Sequence, residues 1–88
     1  MFNNIFFDAK IKLLVWNKGF IITGYSPSLY LRDRFGAAMC FSDYGNRNSA
    51  YGWEIDHIIP ADKGGTDDYN NLEPLNWKNN TTKSNKFL

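Results

Sequence analysis

Four side chains in the C-terminal part of the chain have the types and spacing that metal-assisted hydrolysis requires: Asp56, His57, Asn71 and Asn80. Carboxylate and amide oxygens are ligands that hard divalent cations accept. A neutral imidazole, with an ordinary pKa of about 6.5, can take a proton from water at physiological pH. His57 is the only histidine in the chain, so no second imidazole competes for that role. We therefore expect residues 53–85 to contain the chemistry.

The order of these residues resembles the signature of the HNH endonucleases, the ββα-metal finger. The resemblance rests on D-H-I-x-P, then Gly-Gly, then N-L-x-x-L, then a helix that ends in N-x-x-K. The first His of the family name matches His57, and the middle Asn matches Asn71. Asn80 stands where most members have the last His, which makes this an H-N-N variant. The segments VWNKG, RDRFG and YGNRNSAYGW are also similar to the N-terminal half of small bacterial proteins with this signature.

The resemblance implies a metal-dependent DNA endonuclease that leaves a 5′-phosphate and a 3′-hydroxyl. In this interpretation Asp56 and Asn80 hold one divalent ion, and His57 is the general base that activates water. Asn71 has a structural role, in which its amide fixes the loop and the backbone near His57. Asn79 is the competing candidate for the ligand position of Asn80. Because asparagine is a neutral ligand, Mg²⁺ or Mn²⁺ is favoured over tightly chelated zinc.

Two alternatives remain open at the level of the sequence. The first is a non-catalytic nucleic-acid-binding module that keeps the finger fold but does not cleave. The second is a small metal-stabilised interaction domain with no nucleic-acid role. The combined presence of the acid, the imidazole and the two asparagines favours the enzyme over the first. The absence of paired cysteines argues against the second, because a site with two ligands is too open to hold a fold together.

The predicted strand at residues 53–57 raises a geometric requirement. Side chains alternate between the two faces of a strand, so Asp56 would share a face with Glu54 and not with His57. Asp56 and His57 can then share a site only if the strand breaks or twists sharply. Pro60 favours such a break, because proline cannot continue a central ladder.

The segments that follow are expected to complete the finger. Asp67 and Asp68 lie in the loop at residues 61–70 and are expected to solvate or cap it rather than to bind metal. Asn71 opens the second strand. Asn76 is well placed to cap the closing helix, because an asparagine side chain can accept a hydrogen bond from the first turn.

Five cations are candidate contacts for DNA. They are Arg32, Arg34, Arg47, Lys63 and Lys83. Arg32 and Arg34 lie two apart, so in an extended stretch both point to one side. They could hold phosphates, or they could equally pair internally with Asp33 or Asp43. The formal net charge is only +1, so a nucleic-acid binder of this composition must concentrate its cations on one face.

The length of 88 residues predicts a single domain. A content of 43% hydrophobic and 17% aromatic residues indicates a folded chain whose thin core is filled by large rings. We expect an α+β fold, with a ββα-metal finger at residues 51–88 packed on a scaffold at residues 1–50. Residues 1–7 are expected to add a strand or to cap the core.

The scaffold is expected to contain one helix and short strands. The pattern at residues 8–18 is helical, with Asp8 as N-cap and Gly19 as the stop. Strand-like runs occupy residues 20–23 and 37–41.

A single cysteine, Cys40, excludes an internal disulfide and a four-cysteine zinc site, so we expect no structural zinc. We expect Cys40 to be a small buried hydrophobe. No apolar run reaches the length of a membrane span, and the N-terminus has no leader pattern, so a cytoplasmic protein without membrane contact is expected. Strong preference for one DNA sequence would require a homodimer or a partner protein.

Overall fold

The computed structural model describes residues 7–84 and residue 86, and this part of the chain forms two helices and five strands. The helices are α1 (Ala9–Trp16) and α2 (Trp77–Lys83), and the strands are β1 (Phe20–Ile21), β2 (Tyr30–Arg32), β3 (Ala38–Cys40), β4 (Trp53–His57) and β5 (Leu72–Asn76). The predicted α+β fold with a C-terminal ββα unit is confirmed. The expectation for residues 1–7 lies almost wholly outside the described residues.

The strands form two antiparallel sheets. The first has the order β1-β2-β3, and the second consists of β4 and β5. β4 pairs with β5 over its whole length, from Trp53 opposite Asn76 to His57 opposite Leu72. The helix α2 begins directly after β5. Helix and sheet together make the ββα unit, and the first sheet with α1 makes the scaffold.

Helix α1 begins as predicted and ends earlier. The Asp8 side chain caps it by accepting from the backbone N–H of Ile11 at 2.9 Å. The last helical residue is Trp16, two positions before the predicted end. Val15 and Trp16 are fully buried, while Leu14 is 40% exposed, so the buried residues of the helix lie at its C-terminal end.

Aromatic rings fill the core between scaffold and ββα unit. The buried cluster consists of Trp16, Leu31, Met39 and Trp53. The two indole rings lie 5.1 Å apart between centroids. Each indole N–H donates to a backbone carbonyl at 3.0 Å, that of Trp16 to Pro27 and that of Trp53 to Phe41. Burial of these polar groups therefore leaves no donor unsatisfied, and β4 is fixed against the scaffold.

Strand β3 is shorter than predicted, and its cysteine is less buried than expected. Cys40 is half-buried, and its Sγ lies 3.4 Å from the hydroxyl of Ser42. In the described part of the chain, neither helix combines the length and the apolar character that crossing a membrane requires.

A buried carboxylate joins the scaffold to the ββα unit. Asp33 accepts at Oδ1 from the backbone N–H groups of Phe35 and Ala37, at 3.0 and 2.9 Å. Its Oδ2 accepts from the backbone N–H of Asn76 at 3.0 Å and from Nδ2 of Asn79 at 2.9 Å. A buried charge is tolerated when donors compensate it, and here four donors do so. The side chain thereby fixes its own turn, the end of β5 and the first turn of α2.

We predict that Asp33→Asn destabilises the protein by about 2–4 kcal/mol, because hydrogen bonds to charged acceptors are strong and an amide NH₂ would face donors. Thermal unfolding followed by circular dichroism measures the effect. Asp43→Asn is the matched control, since Asp43 accepts from the Ser49 hydroxyl at 2.7 Å in a half-buried position. Equal melting temperatures for the two variants would contradict the role of Asp33.

Candidate active site

Each of the two predicted metal ligands takes part in a contact between β4 and α2. Glu54 and Asp56 lie two residues apart on β4, and Asn80 and Lys83 lie three apart on α2, so each pair shares a face. Nδ2 of Asn80 donates to Oε1 of Glu54 at 2.8 Å. Nζ of Lys83 lies 2.8 Å from Oδ2 of Asp56. Asp56 and Asn80 therefore each take part in one of these two contacts between β4 and α2.

The carboxylate of Asp56 is only partly compensated. Its Oδ2 is buried, and the partner that lies against it is the Lys83 ammonium, at 2.8 Å. Glu73 lies directly opposite on β5 and adds a second negative charge. Burial raises the pKa of Asp56 to about 6, while the Lys83 ammonium counteracts the rise and Glu73 adds to it. An additional cation beside Asp56 would offset the negative charge of the two carboxylates.

Lys83 is placed differently from the prediction that it contacts a phosphate. Its side chain is 0% exposed, and its ammonium donates to the backbone carbonyl of His57 at 2.9 Å in addition to the Asp56 ion pair. A contact with phosphate would require Lys83 to leave both partners. In this position it joins the end of β4 to the end of α2.

The imidazole of His57 faces away from α2. Its Nε2 lies 2.6 Å from Oδ1 of Asp67, in the loop after β4. The predicted strand break is not found within β4, because pairing with β5 continues regularly through His57 opposite Leu72. His57 is, however, the last residue of the strand. Asp56 and His57 thus point to different sides, but both lie at the end of the sheet where the chain turns into the loop.

Asn71 fixes the backbone that follows His57. Its Oδ1 accepts from the N–H of Ile59 at 2.8 Å, and its Nδ2 donates to the carbonyls of Ile59 and Thr66 at 3.1 and 2.7 Å. These bonds agree with the structural role that the family resemblance implies. Asn71 closes a short turn immediately before β5 rather than opening the strand itself. Gly65 is required here, because a Cβ at this position would lie 1.7 Å from the carbonyl oxygen of Ile59.

The arginines predicted to contact DNA have internal partners. Arg34 pairs with Glu73 at 2.6 Å, and Arg47 pairs with Glu54 through two contacts of 2.7 Å. Neither partner is one of the aspartates that the sequence suggested. Arg32 donates to the carbonyl of Gly36, in the turn after β2. Among the five predicted contacts, Lys63 is exposed on the loop, and Arg47 keeps half of its side chain in solvent.

The donor set suits a hard divalent cation. Because Nδ2 of Asn80 is engaged by Glu54, Oδ1 is the atom of that side chain that can coordinate. Although burial acts to raise it, hydrogen bonds from Arg47 and Asn80 lower the pKa of Glu54. Within residues 7–84 and 86, no group of three His, Cys, Asp or Glu side chains is arranged to hold a metal. An ion held by only Asp56 and Asn80 would need water or substrate oxygens to complete its coordination, as in many magnesium sites.

Three acidic residues that contact the predicted site residues or their partners were not predicted from the sequence to do so: Glu54, Asp67 and Glu73. Strand alternation had already placed Glu54 beside Asp56, and this was a usable signal. The position of Glu73 opposite Asp56 can be deduced once the register of β4 and β5 is known. For Asp67, ten residues after His57, the sequence contains no local signal of contact.

A comparison with protein-family models matches residues 39–86, more than half of the chain, to the HNH endonucleases. The chain belongs to this family. Neither the curated proteins nor the solved structures gave a match. Membership suggests nuclease activity, and HNH nucleases generally act on DNA with a divalent metal ion. The matched region of this HNH protein includes β4, β5, α2 and the loop between the strands.

We predict that Asp56 makes folding stability fall as pH rises. The pKa of Asp56 is raised in the folded state. Its contribution to folding stability is therefore fully present below pH 3.8 and is lost as the pH rises through about 6. The stability of the wild type relative to Asp56→Asn should therefore decline over this window by up to about 3 kcal/mol. Denaturant unfolding with a chelator present, at a series of pH values, measures it. A difference that is constant or increases with pH would contradict the prediction.

Proposed function

We propose that this HNH protein is a metal-dependent endonuclease that hydrolyses phosphodiester bonds in DNA. In this proposal His57 is the general base, and Asp56 and Asn80 hold the metal ion. The observation that supports it most is the location of Asp56 and Asn80 on adjoining pairs of one strand–helix interface. The single imidazole follows Asp56 directly at the end of the sheet.

Each residue of the proposed site has a separate role in the reaction. His57 takes the proton from the attacking water, which is the task of a positioned general base. Asn71 holds the backbone after His57 in place through Ile59. When bound, Mg²⁺ or Mn²⁺ would stabilise negative charge on the scissile phosphate and the leaving oxygen. The Lys83 ammonium contacts both the Asp56 carboxylate and the His57 carbonyl and so fixes their relative positions.

Contact with DNA depends on a small number of surface cations. Lys63 is exposed on the loop that also holds Asp67, and Arg47 remains half exposed despite its pairing with Glu54. Phosphate contacts position DNA but do not read its sequence. We therefore propose low sequence preference for the isolated chain, with a homodimer or a partner protein as the source of any strong preference.

One observation favours the non-catalytic alternative. Two carboxylates on the α2 side of β4 already have cationic partners, Lys83 on Asp56 and Arg47 on Glu54. A divalent ion has to compete with these side chains. Cleavage assays with and without metal separate an enzyme from a binding module with the same fold.

We predict that the protein nicks supercoiled plasmid in Mg²⁺ or Mn²⁺ and that a chelator abolishes the reaction. His57→Ala should lower the rate by about 10²–10⁴-fold, the usual contribution of a positioned base. Melting temperature and Mn²⁺ affinity of the variant are measured in parallel, to separate loss of chemistry from loss of structure. Wild-type protein that binds plasmid without cleaving it in either metal would support the binding module instead.

We predict that the neighbours Asn79 and Asn80 respond differently to replacement by alanine. Asn80→Ala should weaken Mn²⁺ binding at least about 10-fold, since even indirect partners of metal sites contribute that much. Asn79→Ala should leave Mn²⁺ binding intact and lower the free energy of unfolding by about 1–3 kcal/mol, because Asp33 loses a donor. Calorimetric titration and thermal unfolding measure the two effects. The reverse pattern would move the ligand assignment by one residue.

A further inference from the structure

We propose that Asp67 is a positioning residue that fixes the tautomer of His57, with the proton on Nε2 and the lone pair on Nδ1. Nδ1 is then the nitrogen that accepts the proton from water. This inference rests on the proposed function and adds the atom at which the base acts.

The contact between the two side chains determines the position of the proton. Nε2 of His57 and Oδ1 of Asp67 are 2.6 Å apart, so one proton must lie between them. A carboxylate only accepts hydrogen bonds, whereas a neutral imidazole has one donor and one acceptor nitrogen. Carboxylic acids are far stronger acids than imidazolium, which assigns the proton to Nε2. The lone pair of the neutral ring is therefore on Nδ1.

Burial makes the orientation specific. The His57 side chain is 7% exposed and that of Asp67 is 58% exposed, so the carboxylate reaches in from the rim to a ring enclosed by protein. A ring turned by 180° about its Cβ–Cγ bond would remove Nε2 from this acceptor. The hydrogen bond to Asp67 thus selects one ring orientation as well as one tautomer.

Asn71 holds both ends of the loop that brings this pair together. It bonds Ile59, two residues after His57, and the carbonyl of Thr66, immediately before Asp67. One amide therefore sets the distance between the base and its carboxylate. The middle residue of the H-N-N motif thus holds the segments that contain His57 and Asp67 close to each other.

The test uses the fact that His57 is the only histidine, so its ring nitrogens give an unambiguous signal in long-range ¹H–¹⁵N correlation spectra. At alkaline pH, where the ring is neutral, the wild type should show the Nε2–H tautomer. Asp67→Ala should shift the population toward a mixture of tautomers. Asp68→Asn is the matched control, because this neighbouring carboxylate bonds Thr66 and should leave the spectrum unchanged.

Kinetics of plasmid nicking give the second readout. Asp67→Ala should lower kcat at least about 10-fold, a part of what a positioned base contributes, with KM and calorimetric Mn²⁺ affinity unchanged. Asp67→Asn should fall between Ala and wild type, since its amide oxygen can still accept from Nε2. An Nδ1–H tautomer in the wild type, or an unchanged spectrum and kcat in Asp67→Ala, would overturn the assignment.

The spectrum also separates this inference from the proposed function. A wild-type protein that shows the Nε2–H tautomer, lost in Asp67→Ala, but does not cleave plasmid would refute the nuclease proposal and support the role of Asp67 in orienting the ring. A protein that cleaves with the Nδ1–H tautomer would do the opposite.

Discussion

The buried carboxylate of Asp33 is the interaction on which the arrangement of the two halves depends. With one cysteine, the chain cannot build a four-cysteine metal site, and its small core alone has little apolar area to orient a short helix. Asp33 supplies the cross-link through four hydrogen bonds to its own turn, to β5 and to α2. Asn76 extends it, since its Nδ2 donates to the carbonyls of Ala38 and Ala50. Directed hydrogen bonds to one carboxylate thus fix the two halves together, in addition to the packing of the buried cluster.

The position of α2 determines what the candidate site can do. Asn79 bonds Asp33, and the next residue, Asn80, bonds Glu54 on β4. Consecutive side chains of one helix therefore serve stability and the proposed metal site, respectively. Successive side chains of a helix point about 100° apart, so a rotation of α2 by that angle would move one of these side chains to the position of the other. The carboxylate of Asp33 prevents that rotation by holding both the helix and the end of the strand before it.

The sequence allowed correct prediction where a local pattern decides the outcome. Alternation placed Glu54 and Asp56 on one face, and the capping role of Asn76 followed from its residue type and position. The pattern did not reveal Asp33 and Asn79 as partners, because they are 46 residues apart and nothing local indicates such a contact. The same holds for the pairing of Arg34 with Glu73. The sequence did not predict the buried position of Lys83. Lysine is rarely buried unless it is paired, and its partners, Asp56 and the His57 carbonyl, are brought close only by the fold.

Charge balance explains how carboxylates can be kept at the site before any metal ion binds. Glu54, Asp56 and Glu73 contact Arg47, Lys83 and Arg34, respectively, so each of these three carboxylates has a cationic partner. Of these pairs, the one between Lys83 and Asp56 is buried, and breaking a buried pair by removing one partner is costly. The raised pKa of Asp56 indicates that burial outweighs the compensation by the Lys83 ammonium. In the proposed function, a divalent ion held by Asp56 would offset this negative charge, so metal binding there would be coupled to folding stability.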